Sequence, residues 1–433
     1  MYKISSLLCG ILLLAAGQLA QAQNIGNSPY SKLGIGEVSD NTGNIRNFGM
    51  GNLGVSTPNG FSVNFLNPAL LIYNTRVTFE MAAAGQVKNI ANSEKSETVG
   101  TAGLGYLALA LPINKSWRAA VGLRPYSSVN YNSYSQTTIQ SDPQNTSVVT
   151  GNEGSGTISE VYFGNGVKIV KGLSLGISGS YLFGSIDRNA YAFIQDTVAN
   201  PSLERLVINN QTSYSGLMFK GGLAYRQQLN KKLNLNLGAT YGLQNDLNFE
   251  RRTVQQRLSF SETLIDSVGL NDQTSGESTL PSSMQFGLSM DNNRTWVAGM
   301  EFTTRKWSSY RSEAGEQVYA DSYRVSVGGE YTPDPSSFDS YLKRVNYRAG
   351  FSYTKTPINL EGIQLNNTAV HAGFSFPIGS TPRPPEYNQS TLNVGLAMGK
   401  NGTTSNNLVR ENYIQFNIGL SLNSSWFIKP RID

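Results

Sequence analysis

The chain has one cysteine and one histidine in 433 residues. That leaves no cysteine pair for a disulfide framework and no Cys/His cluster for zinc. Charge is scarce too: 15 % of the residues are Asp, Glu, Lys or Arg, against about 25 % in ordinary soluble domains. Also missing are the repeated runs of about 20 apolar residues that a helical membrane bundle needs; only the N-terminus approaches one. The 34 basic and 29 acidic residues are spread along the chain. No basic cluster suited to a phosphate backbone emerges, which argues against a nucleic-acid partner. What is present is 44 glycines beside 18 Phe, 22 Tyr and 4 Trp. Mean hydropathy is −0.27, so the low charge is offset by Asn, Ser, Thr, Gln and Gly. This mixture favours β structure.

Residues 1–22 read as a cleaved signal peptide. Lys3 supplies the positive start, Ile4 to Ala16 the apolar stretch, and Ala20-Gln21-Ala22 a small-x-small cleavage site before Gln23. The apolar run is too short for a membrane helix. Cys9 lies inside it, with no small residue immediately upstream as a lipoprotein signal requires. The mature chain is therefore expected to be free of cysteine and exported.

Beyond residue 75 apolar and polar residues alternate with the period of a strand. Ile414, Phe416, Ile418, Leu420 and Leu422 alternate with Gln415, Asn417, Gly419 and Ser421. Leu233, Leu235, Leu237, Ala239 and Tyr241 repeat the pattern. About fourteen such strands are expected. Short turns fall at Asn114-Lys115, Val170-Lys171-Gly172, Asn230-Lys231 and Asn292-Asn293-Arg294. The alternate connections 132–152, 188–210 and 248–276 are long and polar. Short turns on one side and long loops on the other distinguish an outer-membrane barrel from a soluble sandwich. The expected fold is therefore all-β: a transmembrane antiparallel β-barrel over 75–433, in the outer membrane. Trp117, Trp296, Trp426 and Phe427 beside short turns, and Tyr126, Tyr131, Tyr134, Trp307 and Tyr310 toward long loops, would form two interfacial girdles.

Residues 23–74 do not alternate. They contain Gly49-Met50-Gly51-Asn52-Leu53-Gly54, which formally matches G-x-G-x-x-G. The strand before it, the helix after it and the acidic residue further on, all needed for dinucleotide binding, are absent. A backbone folded tightly in a confined space needs glycine for the same steric reason. The segment is thus expected to be a plug inside the lumen, with Phe48, Met50, Leu53, Val55, Phe61, Val63, Phe65 and Leu66 as its apolar surface. Asn67-Pro68-Ala69 closes it before the first strand.

At this point the chain resembles the FadL family of outer-membrane transporters for long-chain fatty acids and other hydrophobic compounds. The resemblance rests on Gly49-Met50-Gly51-x-x-Gly54-Val55, on Asn67-Pro68-Ala69 and on the strands that follow. Ser28-Pro29-Tyr30-Ser31-x-x-Gly34-Ile35-Gly36 and the ending Trp426-Phe427-Ile428-Lys429 are similar to its Bacteroidetes branch. It implies a hatch over 23–74 and a kinked third strand near Asn67-Pro68-Ala69 that opens the wall sideways. Pro125, in Arg124-Pro125-Tyr126 of the third strand, is a counterpart: proline cannot donate to a ladder. It marks either a gap in the wall or the point where the strand leaves the membrane.

The alternation turns Glu80, Arg118, Arg124, Lys220, Glu301, Arg324, Glu330 and Arg348 inward. Glu301, Arg324, Glu330 and Arg348 share neighbouring strands, as a salt-bridged network or as a solvated wall. His371 also points inward, with no Ser/Asp constellation in its own strand. Glu250, Glu262, Asp266 and Asp272 read as solvated loop charge. No enzyme activity, metal or cofactor is expected. Two functions stay open. One is passive passage of a hydrophobic, fatty-acid-like ligand between lipid and lumen. The other is a structural subunit of an outer-membrane secretion or assembly complex, as in PorV-like relatives.

Overall fold

The computed structural model describes residues 27–39, 43–138, 147–195, 204–259, 261, 263–269, 273–311, 318–378 and 390–424. The signal peptide with Cys9, the carboxylates Glu262 and Asp272, and Trp426 to Lys429 lie outside these residues. The first elements are a two-residue strand β1 (Glu37–Val38) and a short helix α1 (Ile45–Gly49). Long strands follow: β2 (Val77–Ala91), β3 (Ser96–Pro112), β4 (Trp117–Thr138), β5 (Ser147–Val170), β6 (Leu173–Gln195) and β7 (Arg205–Asn230). Next come β8 (Leu233–Gly242), β9 (Asn245–Leu258), β10 (Leu264–Gly269), β11 (Thr274–Leu280) and β12 (Ser283–Asp291). The last are β13 (Trp296–Arg305), β14 (Ser322–Tyr331), β15 (Asn346–Leu360), β16 (Ile363–Ile378), β17 (Ser390–Gly402) and β18 (Arg410–Ser424).

Neighbouring strands pair antiparallel, and β18 pairs with β2 from Arg410↔Ala91 to Ser424↔Val77, which closes the sheet. β8 with β9 fills one position in the wall and β10 to β12 fills the next, giving a closed barrel of 14 strands. Closure leaves no edge, the arrangement that lets strands cross lipid. The faces separate as the period demands. On β18, Ile414, Phe416, Ile418 and Leu422 face outward and are exposed, whereas Asn417, Ser421 and Asn423 are buried inside. An apolar exterior around a polar interior is the inverse of a water-soluble barrel.

Two sequence expectations need correction. The stretches 132–152, 188–210 and 248–276 are in large part strand, because β4, β5, β6, β7, β9 and β10 run well past the apolar band. There both faces meet polar surroundings, so the apolar/polar period fades while backbone pairing continues. Glu250 and Asp266 are exposed, on paired strands rather than in a loop. The second correction concerns aromatics. Trp117 and Trp296 are outward and exposed, as is Tyr134, but Tyr131, Trp307 and Tyr310 are buried. Together with Tyr126 they belong to an interior cluster with Ile35, Val129, Ile158, Leu182, Ile186 and Leu247. The upper lumen is therefore partly apolar.

The glycines of the wall let an inner chain lie directly against it. A Cβ on Gly238 would stand 2.0 Å from the Val55 carbonyl, and one on Gly350 would stand 2.3 Å from the Gly51 amide. Gly221, in contrast, faces open space. Gly238→Leu should destabilise the folded barrel by about 1–3 kcal/mol through overpacking, while Gly221→Ala should be neutral. Thermal unfolding followed by heat-modifiable gel migration measures both.

Candidate functional site

Residues 43–74 are held inside the barrel by short local motifs fastened to the wall. Asn44 caps α1 by accepting from the Asn47 amide at 2.9 Å, and the Asn47 side chain accepts from the Asn44 amide at 3.2 Å. This reciprocal box fixes a helix far too short to stand alone. The helix ends at the glycine run instead of following it, the reverse of a dinucleotide fold. Gly51 has φ +74° and lies against the Phe351 backbone. Asn67 caps the 3-10 turn Pro68–Tyr73 by accepting from the Ala69 amide at 3.0 Å. Its amide group donates to the Val55 carbonyl at 2.8 Å and to the Leu223 carbonyl of β7 at 3.0 Å. Proline at the first turn needs no amide partner, and Pro68 fits against Gly166, Gly176 and Gly222.

Wall carboxylates supply the remaining fastenings. One oxygen of Glu301 accepts from three successive amides, Gly54 at 2.8 Å, Val55 at 2.6 Å and Ser56 at 3.2 Å. Such a concave row of N–H groups is an anion nest. Glu330 bridges Arg46 of α1 at 3.1 Å and Arg348 of β15 at 2.5 Å. Glu80 accepts from the Val63 amide at 3.3 Å and the Ser421 hydroxyl at 2.8 Å. Arg118 donates to the Asn74 carbonyl at 2.8 Å. Arg324 is buried on β14, opposite Thr303 of β13.

Of the apolar residues singled out in the sequence, Phe48, Met50, Leu53, Phe65 and Ala69 are buried. Phe61 is half-buried and contributes its carbonyl, which accepts from Asn423 at 3.2 Å. Phe65 packs edge-on against Tyr106 of β3 and Tyr162 of β5, with the Arg124 guanidinium 5.1 Å from its ring centre.

Just beyond Phe65 the wall changes. β3 and β4 pair only from Pro112↔Arg118 to Leu107↔Leu123. Each then carries one extra residue: the β2–β3 register shifts at Gly105, and the β4–β5 register shifts at Tyr126. A bulge bends its strand and inverts which residues face inward. On β4 the alternate positions Arg118, Ala120, Gly122 and Arg124 are buried before the bulge and Ser127, Val129 and Tyr131 after it, with Ala119 and Ser128 buried between them. Pro125 thus lies inside a strand that continues to Thr138 along β5, so it is not a strand end. The β3 side of β4 is instead met by β1, with Glu37↔Ser128 and Val38↔Ser127 paired and the Ser39 amide donating to the Tyr126 carbonyl at 2.9 Å. Pro125 was visible in the sequence; the matching bulge at Gly105 was not, since a glycine in a strand has several readings.

Residues 28–39 carry their own anchors. Lys88 pairs with Glu37 at 3.1 Å and with Glu411 at 3.4 Å, and the Ser28 hydroxyl donates to Glu411. The Tyr30 hydroxyl donates to the Val409 carbonyl at 2.7 Å, and burial raises its pKa above the ordinary phenol value. A cavity of about 220 Å³ lies between this segment and the wall, lined by Ile35, Val38, Phe48, Tyr126 and Trp307 on its apolar side. Arg305, Arg324 and His371 line its polar side. His371 is buried with its Nε2 3.0 Å from the Ser352 hydroxyl of β15, a partner on the neighbouring strand that its own strand did not reveal. A smaller cavity of about 80 Å³ adjoins Arg124, Tyr126, Glu160 and Lys220. Arg124 pairs with Glu160 at 2.8 Å. Among the described residues no group of three or more His, Cys, Asp or Glu could hold a metal ion.

The barrel, its inner segment and the interrupted ladder define a closed β-barrel with the fold of the FadL-type outer-membrane channels. A *Pseudomonas aeruginosa* FadL homologue shares the fold at TM-score 0.57 and 14 % identity, covering 90 % of this chain and 99 % of its own. The *Ralstonia pickettii* toluene transporter TbuX does so at 0.56 and 15 %, covering 89 % and 99 %. The *Pseudomonas putida* toluene transporter TodX does so at 0.54 and 16 %, covering 90 % and 98 %. No curated protein matches the chain. Over residues 1–433 the sequence matches the BamG family, and the chain belongs to it.

Glu330 is the partner of two buried guanidinium groups. Glu330→Ala should destabilise the barrel by about 3–5 kcal/mol, the cost of leaving buried charge uncompensated. Replacing Arg46, Glu330 and Arg348 together with Met, Leu and Met should recover most of that loss in the same unfolding measurement.

Proposed function

We propose that residues 23–74 act as a hatch and that the protein passively takes up hydrophobic, fatty-acid-like molecules through the opening beside β4. The observation that carries this reading is the ladder between β3 and β4, which stops at Leu107↔Leu123 while both strands continue. The cavity of about 220 Å³ adjoins that place, bordered by Pro125 and Tyr126 on the wall and Val38 on the inner segment. An apolar ligand leaving the lumen there would enter the lipid without crossing water. The toluene transporters TbuX and TodX, which share the fold, support this reading by analogy. The Bacteroidetes-type opening motif, Ser28-Pro29-Tyr30-Ser31, belongs to the same reading.

A second reading, a non-transporting subunit of an outer-membrane secretion or assembly complex, is favoured by the fastening of residues 44–63. Glu80, Glu301 and Glu330 each bind that segment, which makes its displacement costly. A disulfide between Glu37→Cys and Ser128→Cys would lock β1 onto β4. Transport predicts that uptake of labelled toluene or oleate falls at least about tenfold on oxidation and recovers on reduction. Unchanged uptake, with stoichiometric co-purification of another outer-membrane complex, would sink the transport reading in favour of the second.

A further inference from the structure

The two ends of the barrel differ in charge. The described short connections are 113–116, 171–172, 231–232, 292–295 and 332–345, and each carries at least one cation. Together they hold Lys115, Lys171, Lys231, Lys232, Arg294, Lys343 and Arg344 against Asp334 and Asp339. The described connections at the other end are mixed, with Lys95, Lys306 and Arg311 against Glu94, Glu204, Asp321 and Glu361.

The longest short-side connection, 332–345, adds an apolar feature. Phe338 is 80 % exposed and Leu342 63 % exposed, next to Lys343 and Arg344. The segment is folded back on the outer face of the wall. The Tyr341 hydroxyl donates to the Pro377 carbonyl of β16 at 2.9 Å, and the outward Tyr347 donates to the Leu342 carbonyl at 3.0 Å. Tyr347 in turn packs edge-on against Phe374. Arg344 lies 5.1 Å from the Tyr341 ring centre. Exposed Phe338 and Leu342 lie beside the lipid-facing wall; Asp339 follows Phe338, while Tyr341, Lys343 and Arg344 adjoin Leu342. Apolar anchors with cations and tyrosines are the signals that hold a segment at a membrane interface.

We infer that residues 334–344, with the basic rim around them, form a binding surface for anionic phospholipid headgroups. Short connections of such barrels face the periplasm, so the surface meets the inner leaflet; this rests on the outer-membrane barrel reading. Phe338 and Leu342 enter the acyl boundary, and Lys343, Arg344 and Arg294 face the phosphates. A lipid fits better than an acidic protein because the apolar residues adjoin the lipid-facing wall.

The test uses the full chain in nanodiscs of phosphatidylcholine with or without phosphatidylglycerol. Native mass spectrometry counts the lipids retained on release, and a dye on Phe338→Cys (with Cys9→Ser) reports depth by quenching from brominated lipid. Retention of phosphatidylglycerol over phosphatidylcholine is expected, falling about fivefold for each charge removed in Lys343→Gln and Arg344→Gln, with the dye quenched. Equal retention of both lipids, an unaltered preference in the double variant, or an unquenched dye overturns the inference. Co-purification of an acidic protein at this rim in place of lipid also overturns it. Heat-modifiable migration reports barrel insertion separately, so its loss would count against the barrel reading itself.

Discussion

Main-chain amides enclosed in a barrel must find acceptors, and this protein supplies them from the wall. Glu301 receives three from residues 54–56, Glu80 receives one from Val63, and the Asn67 side chain links Val55 to β7. Without such partners a glycine-rich segment could not stay in a cylinder of strands, since each unpaired buried group is costly. The wall glycines follow from the same requirement: the carboxylates can reach the inner backbone only where that backbone touches the wall.

Beyond this fastening, the two ends of the inner segment meet different parts of the wall. Residues 44–74 are bound to the lower wall by buried charge and by caps. Residues 28–39 lie higher, held by β1 against two residues of β4 and by the Lys88 cluster. They border both the larger cavity and the interrupted ladder. Residues 28–39 are also fastened by buried charge, through Lys88 and Glu411, so displacing either part would break a buried ion pair, which bears on both functional readings.

Much of the barrel was legible because lipid on one side and a polar lumen on the other impose a period of two. The strand around 414–422 is the clearest case. The inward positions of Glu80, Glu301 and Arg348 follow from the same count. Legibility ended where that contrast did. Above the apolar band β6 and β7 continue as strand with no alternation to announce them, so 188–210 read as loop. Tyr131 reads as a girdle residue because aromatic position along a strand is visible in a sequence, whereas facing is not once a bulge intervenes; Trp307 does so because the 3-10 turn that buries it after β13 has no strand period to announce it. The Ser352 partner of His371 and the Leu223 partner of Asn67 come from other strands, and register alone decides such pairs. Asn67-Pro68-Ala69 lies against the glycines of β5, β6 and β7, while β1 occupies the gap side of β4; no local motif could have divided those roles.

The paired bulges at Gly105 and Tyr126 act as two matching frame shifts in the alternation of the wall. Without the extra residue on β4, the alternation begun at Arg118 would send Val129 and Tyr131 to the lipid and Asn130 to the interior. Occurring on adjacent strands at nearly the same height, they exchange the inward parity of both strands together, and the β3–β4 pairing ends just below them. The seam between β3 and β4 thus begins where each strand takes its extra residue, and deleting either residue would exchange the faces of that strand above it.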